Sequence, residues 1–212
     1  MICSSILLIS CKNKDEAIES FGYEYIQSDS GEVFIYQFDS IAFDDNTQSI
    51  DTFQYFLKEI NAGKIIQANG EVFDVLQRFV GKTDTMNWEP RESAFIQLKS
   101  KSYERIDQNQ RRIKLVFPIR SNLVWNGNAY NDLGKINYIL TGPFTQRNYS
   151  FKTFNEVIEV QEANQVNFIE TLKEKSAYAK NIGLVYYEST QLSTQSNRTG
   201  GYSLKCTLIQ HY

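Results

Sequence analysis

Residues 33–60 read VFIYQFDSIAFDDNTQSIDTFQYFLKEI, and this stretch decides the fold. Two runs in it, Val33 to Phe43 and Thr52 to Ile60, are rich in aromatic and β-branched residues, which favour half-buried strands. The run DDNTQSID between them supplies Asp and Asn residues that form turns. The stretch therefore predicts two neighbouring antiparallel strands.

The strand pattern continues toward the C-terminus. Asn69-Gly70 lies between two short apolar runs, and Asn-Gly is a strong signal for a hairpin turn. Further strands are predicted over residues 72–80, 112–119, 151–162, 183–188 and 202–212. In the segment at 151–162, apolar and polar side chains alternate well from Phe154 onward. In NGNAY, Gly127 is expected to form a turn with positive φ.

One segment favours a helix instead. Val166, Ile169, Leu172 and Ala177 lie roughly on one helical face, and no Pro or Gly interrupts them. We therefore expect a mainly β (α+β) fold, with an antiparallel sheet, a sandwich or a curved half-barrel. One principal helix is expected near residues 165–180.

Length and charge limit the classes of function. A chain of 212 residues corresponds to about one domain. Its 22 basic and 25 acidic residues give a net charge of -3, and no block of either sign occurs. Nucleic-acid binding needs a concentrated positive field, so no nucleic-acid partner is expected.

The N-terminus carries the main functional signal. Leu8-Ile9-Ser10-Cys11 resembles a bacterial lipobox, in which the cysteine becomes linked to lipid. We expect a short lipoprotein signal-like segment at 1–10, a polar tether at 11–30 and a single β-rich domain at 31–212. No Lys or Arg precedes Cys11, whereas a secretory signal has a basic start and an apolar stretch of about 7–15 residues. Two alternatives follow: the true start lies upstream, or the chain is a cytosolic β-protein with residues 3–10 as its first strand.

Catalytic and metal signatures are sparse in the sequence. It contains no P-loop, GxGxxG or G-x-S-x-G motif, and its single histidine is His211, next to the C-terminus. After cleavage before Cys11, Cys206 is the only other cysteine. One histidine and one thiol are too few ligands for a zinc site. No cofactor and no metal are expected. Asp44, Asp45 and Asp51 form a weak candidate for a calcium site, because oxygen-rich loops can hold calcium. The other interpretation of this loop is a solvated hairpin turn.

Aromatic residues in polar, loop-like segments are candidates for a binding surface. Trp88, Trp125 and Tyr130 are the residues concerned. Their flat rings suit a glycan or a peptide, although a tryptophan in such a place more often closes one end of a β-structure.

Several segments resemble one protein family. Arg112 to Asn131, RIKLVFPIRSNLVWNGNAYN, is similar to an uncharacterised family of Bacteroidota outer-membrane lipoproteins, in which KLVFP precedes W-x-GNAYN. Residues 35–59, the run YAKNIGLVYYE at 178–188 and the closing GYSLKCTLIQHY also resemble it. The resemblance implies an exported lipoprotein and transfers no functional residue. Asp84-Thr85-Met86 is similar to the O-glycosylation acceptor of that phylum, which makes Thr85 a candidate site.

The expected function is that of a lipoprotein anchored in the outer membrane through Cys11, with a non-catalytic binding or assembly role. It would serve as an accessory subunit of an outer-membrane complex, with a membrane protein or a glycan as its partner. The rival hypothesis is a carboxylate-dependent glycan hydrolase. Two converging acids in one pocket, one of them with a raised pKa, would favour that rival.

Overall fold

The computed structural model describes residues 21–212. Cys11, the signal-like segment, the alternative first strand at 3–10 and the tether up to residue 20 lie outside the described residues. A short 3-10 turn at Tyr23–Tyr25 precedes twelve strands. The strands are β1 (Val33–Phe43), β2 (Ile50–Ile66), β3 (Val72–Gly81), β4 (Glu89–Leu98), β5 (Ser102–Asp107), β6 (Gln110–Val116), β7 (Val124–Asn126), β8 (Asn137–Tyr149), β9 (Lys152–Val166), β10 (Glu170–Ala179), β11 (Gly183–Gln195) and β12 (Arg198–His211).

All twelve strands belong to one antiparallel sheet. Its order is β6-β5-β4-β3-β2-β1-β12-β11-β10-β9-β8-β7, so chain neighbours pair except β6 with β7, and the first strand also pairs with the last. Val33 N–H donates to Tyr212 O at 2.8 Å where β1 and β12 begin and end. The expected mainly β, antiparallel fold is confirmed, and its form is the curved one, a nearly closed barrel.

The two ends of the sheet, β6 and β7, meet at a seam. Ile113 N–H donates to Gly127 O at 2.9 Å, and Trp125 Nε1–H donates to Ile113 O at 2.9 Å. Gly127 does not have positive φ, so that prediction was wrong. A Cβ at Gly127 would lie 2.3 Å from Cε1 of the Tyr138 ring, and this close approach is what requires glycine.

The helix expected near residues 165–180 is absent. That segment holds the end of β9, a turn and the whole of β10, which pairs with β9 and β11. Asn167 Oδ1 accepts from the backbone N–H groups of Ile169 and Glu170, as a helix cap does, but the chain continues as a strand. Two flanking strands saturate the backbone of β10, and this tertiary pairing outweighs its helical pattern.

One end of the barrel is closed by the chain that precedes β1. Tyr25 and Ile26 are buried in an apolar cluster with Leu115 and Phe117, and Asn181 N–H donates to Glu24 O. Residues 21–30, expected to be part of a polar tether, are therefore packed into the domain. The domain includes the chain from Phe21 onward.

The β8–β9 hairpin folds over the outer face of the barrel. Its tip places Tyr149 against Tyr186 of β11, with ring centroids 4.5 Å apart. Ser150 Oγ lies 2.9 Å from Thr207 Oγ1 of β12. Ala177 and Ala179 lie in the same buried cluster as Tyr149, and their small side chains allow the hairpin to pack close to β10.

Candidate binding site

The interior of the barrel contains a cavity of about 340 Å³. Eight of the twelve strands contribute side chains to it, so the sheet surrounds it. Its aromatic and aliphatic lining consists of Tyr36, Phe38, Leu57, Tyr103, Tyr178, Leu184, Tyr187, Leu204 and Cys206. Charged and polar side chains make up the rest of the lining, and a cavity of this size that combines apolar walls with placed polar groups can hold a small molecule.

A second cavity leads from this interior to the surface. It has a volume of about 770 Å³ and shares Phe38, Leu57, Arg78 and Gln108 with the first. Its outer wall includes the β3–β4 loop at residues 82–87. This mouth and the end closed by Tyr25 lie at opposite ends of the same strands.

A chain of ion pairs crosses one wall of the inner cavity. Arg105 Nη2–H donates to Glu59 Oε1 at 2.5 Å, and Arg105 Nε–H donates to Asp107 Oδ2 at 2.6 Å. Arg78 Nη1–H donates to the other oxygen of Asp107, also at 2.6 Å. Two guanidinium groups thus hold two carboxylates in place, a strong geometry because both partners are charged.

The ion pairs shift the pKa values of Asp107 and Arg105 toward their charged forms. Burial raises the pKa of a carboxyl group, but Arg105 and Arg78 outweigh it and hold the pKa of Asp107 below its usual value. Burial works against the charge on Arg105, but Asp107 and Glu59 raise the pKa of its guanidinium well above the ordinary value. The wall therefore keeps fixed charges at neutral pH.

A second ion pair lies beside this wall. Lys114 Nζ lies 2.5 Å from both carboxylate oxygens of Glu162, which is fully buried. Ser176 Oγ–H also donates to Glu162 at 2.6 Å. Lys114 lies over the rings of Tyr138 and Tyr187, at 5.9 and 5.7 Å from their centroids. The ammonium group is thus held between one carboxylate and two aromatic faces.

Arg112 lines the cavity without such a partner. Within residues 21–212 it forms neither an ion pair nor a side-chain hydrogen bond. Arg78 is also incompletely satisfied, because its buried Nε has no hydrogen-bond partner in the described chain and lies 3.7 Å from Glu59 Oε1. The cavity thus presents donors that no described protein group fills.

The predicted aromatic residues do not form one surface, because each has different neighbours. Trp88 lies against Gly81 and under Lys58 Nζ, 4.7 Å from its ring. Trp125 closes the β6–β7 seam, packed against Tyr138. Tyr130 is 56% exposed on the outer face, where the Arg111 guanidinium lies 5.3 Å from its ring centroid. None of the three lines the inner cavity.

The calcium candidate is a turn. Asp44 Oδ1 accepts from the N–H groups of Asn46 and Thr47, and these backbone hydrogen bonds hold its pKa below the usual value. Over residues 21–212, no group of three or more His, Cys, Asp or Glu side chains is placed to hold a metal ion. Asp44, Asp45 and Asp51 therefore do not converge on one.

The remaining predicted residues fall in separate places. Thr85 is exposed in the β3–β4 loop, where a modification would be accessible. His211 stacks on Phe34 at the end of β12. Cys206 is buried and lines the cavity, and burial raises the pKa of its thiol well above its usual value. A protonated buried thiol behaves as a small apolar group.

The residues of the inner cavity were missed because alternation shows which residues share a face and not which face lies inside. Arg112 and Lys114 alternate with apolar Ile113, and polar side chains in such a strand are expected to face water. Here they face inward, and a bulge at Lys114 turns its side chain toward Glu162.

Among the helices of the described chain, none has the length and apolar character needed to cross a membrane. Comparisons with protein-family models, with curated proteins and with solved structures found no significant match to this chain.

Proposed function

We propose that this chain is a non-catalytic binding lipoprotein whose barrel holds a small ligand. The single observation that carries the binding role is the inner cavity, with its aromatic lining and unfilled donors. The lipobox-like Leu8-Ile9-Ser10-Cys11 supports attachment to the outer membrane. An outer-membrane protein or glycan that receives the ligand or binds the barrel surface completes the proposed role.

The position of the mouth fits this proposal. The described chain starts at the closed end of the barrel, where Phe21 packs near Phe117. Cys11 precedes Phe21 by ten residues, so a lipid on Cys11 would be joined to the domain at this end. The mouth beside the β3–β4 loop lies at the other end of the strands.

The hydrolase alternative has weaker support. A glycosidase needs one carboxyl group that keeps its proton near neutral pH. The interior carboxylates instead face cations: Glu59 pairs with Arg105, Asp107 with two arginines, and Glu162 with Lys114. Arg105 and Arg78 hold the pKa of Asp107 below its usual value, which opposes such a role for Asp107.

Mass spectrometry of the protein purified from its native membrane tests both parts. We expect a diacylglyceryl-modified Cys11, and a Cys11→Ala variant that leaves the membrane fraction. Native spectra should also show one small molecule per barrel, which denaturation releases. An unmodified Met1 in the soluble fraction would refute the anchor.

A cavity-filling variant separates interior binding from surface binding. Leu204 lines the cavity, so Leu204→Trp should abolish the bound mass. Leu98 is 43% exposed on β4, and Leu98→Trp should leave the bound mass in place. If both variants keep the ligand, it does not occupy the interior.

A further inference from the structure

We propose that the ligand of the inner cavity is a monovalent organic anion, a carboxylate on an aromatic or aliphatic body, bound through Arg112. This inference rests on the proposed binding function and adds the chemical class of the ligand. It follows from the charges in the cavity, the donors they offer and the shape of the remaining lining.

The charge count points to one missing negative charge. The charged side chains that line the cavity, together with their direct ion-pair partners, comprise four cations and three carboxylates: Arg78, Arg105, Arg112 and Lys114 against Glu59, Asp107 and Glu162. All three carboxylates are engaged with Arg78, Arg105 or Lys114. Arg112 is left over, and an uncompensated cation in a partly buried site is unfavourable. One monovalent anion would neutralise it, whereas a dianion would leave a surplus negative charge.

Another carboxylate on the inward side does not fill this role. Glu174 on β10 accepts hydrogen bonds from Ser189 Oγ and Gln191 Nε2, and it forms no ion pair with Arg112. Arg112 pairs in the sheet with Arg105, so its immediate neighbour on the same face is a second cation. The local potential at Arg112 therefore favours an anion from outside the chain.

The donors suit a carboxylate. A guanidinium presents N–H groups in a planar fork that matches the two oxygens of a carboxylate. Arg78 Nε–H adds a buried donor with no partner in the described residues. Arg78 lines both the inner cavity and the mouth, so an anion that enters through the mouth passes this group.

The remaining wall suits an apolar body. The rings of Tyr36, Phe38, Tyr178 and Tyr187 and the side chain of Leu184 line the same cavity. Burial of an apolar body against them supplies affinity, while the charged group fixes orientation. Amphipathic monocarboxylates have this combination.

Calorimetric titration with matched probes tests the inference. The probes are 1-naphthoate, the neutral 1-naphthalenemethanol, and the dianion naphthalene-1,4-dicarboxylate, titrated into the full chain freed of bound ligand. A charge-assisted contact predicts that naphthoate binds about tenfold more tightly than the alcohol. The dicarboxylate should also bind more weakly than naphthoate.

Two arginine variants locate the contact. In Arg112→Gln the preference for naphthoate over the alcohol should fall to about twofold or less, since the fork and its charge are gone. Arg198→Gln makes the same change at an exposed position, the first residue of β12, and should keep the full preference. Thermal unfolding followed by circular dichroism establishes that each variant is folded. If Arg112→Gln does not fold, the three probes on the unmodified chain decide.

The outcomes separate the two proposals. Equal affinity for naphthoate and the alcohol would overturn the anion inference and leave interior binding standing. A dicarboxylate that binds best would overturn the single-charge assignment. If none of the probes binds and no small molecule accompanies the purified protein, the cavity is not a ligand site and both proposals fall.

Discussion

Lys114 Nζ on β6 lies 2.5 Å from both carboxylate oxygens of Glu162 on β9, across the seam where the ends of the sheet meet. The two residues are separated by β7 and β8 in the closed ring. Few backbone hydrogen bonds join β6 to β7 at this seam, whereas every other pair of neighbouring strands in the sheet forms a ladder. The ion pair therefore links β6 to β9 across the seam.

Glu162→Gln is expected to destabilise the fold strongly. It leaves Lys114 with a charge and no carboxylate, and breaking a buried pair in this way costs about 3–5 kcal/mol. Urea unfolding measures the loss. The same substitution in the exposed pair of Glu156 with Lys180 should cost about 0–1 kcal/mol.

An apolar replacement gives the complementary test. The triple variant Lys114→Met, Glu162→Leu, Ser176→Ala removes both charges and the hydroxyl that donates to Glu162. Its stability should lie near that of the unmodified chain, because the desolvation of both charges is avoided. A triple variant as unstable as Glu162→Gln would contradict this account.

The acid sensitivity of the fold should depend in part on Glu71. Hydrogen bonds from Arg111 and Asn69 lower the pKa of Glu71 to about 2. Since this pKa is below that of the unfolded chain, the contribution to stability is present above about pH 4.5 and is lost as pH falls toward 2. Urea unfolding between pH 2 and pH 6 should show a shallower acid decline for Glu71→Gln.

Glu170→Gln serves as the matched control, because Glu170 is exposed and lies outside the contacts of Glu71 with Arg111 and Asn69. Its acid profile should follow that of the unmodified chain. Identical profiles for Glu71→Gln and the unmodified chain would show that the contact with Arg111 contributes nothing to stability.

Docking of the β8–β9 hairpin should depend on the Tyr149 ring. Tyr149 is buried, stacks on Tyr186, and its hydroxyl donates to Glu159. Tyr149→Ala should cost about 3–5 kcal/mol through loss of the ring and the cavity left behind. Tyr149→Phe removes only the hydrogen bond and should cost about 1 kcal/mol. Equal losses would mean that the hydroxyl, and not the ring, holds the hairpin.

Gly127→Ala should destabilise the seam. The new methyl group would lie 2.3 Å from Cε1 of Tyr138, a buried ring, so the ring or the backbone must move. Overpacking of this kind costs about 1–3 kcal/mol, which thermal and urea unfolding would both detect. Adding Tyr138→Leu should recover part of the loss introduced by Gly127→Ala. No recovery would indicate that the backbone at the seam is responsible.

The strands were the predictable part of this molecule. The run Val33 to Phe43 was predicted as a strand and forms β1 with the same limits. Its aromatic and β-branched composition and the turn residues after it are local properties. The segment that became β10 has a helical spacing of apolar residues and small alanines, and only its neighbours β9 and β11 impose the strand. The local sequence of a segment does not show which strands will pair with it.

The candidate site could not be found in the same way. Glu59 and Arg112 are 53 positions apart in the sequence and line the same cavity only because the sheet curls on itself. A flat sheet would place the same charges on a solvated face. Identifying the cavity therefore requires the closure of the sheet, which depends on close approaches such as that of Gly127 to Tyr138.

The pairing of β1 with β12 has a consequence for biosynthesis. The ribosome makes β1 before β12, so the central strand pair cannot form until β12 has been synthesised. Until then β1 offers a free edge rich in Phe, Ile and Tyr, which is a template for wrong pairing. A nascent chain of this design therefore passes through a stage in which β1 is open to wrong pairing until β12 is made.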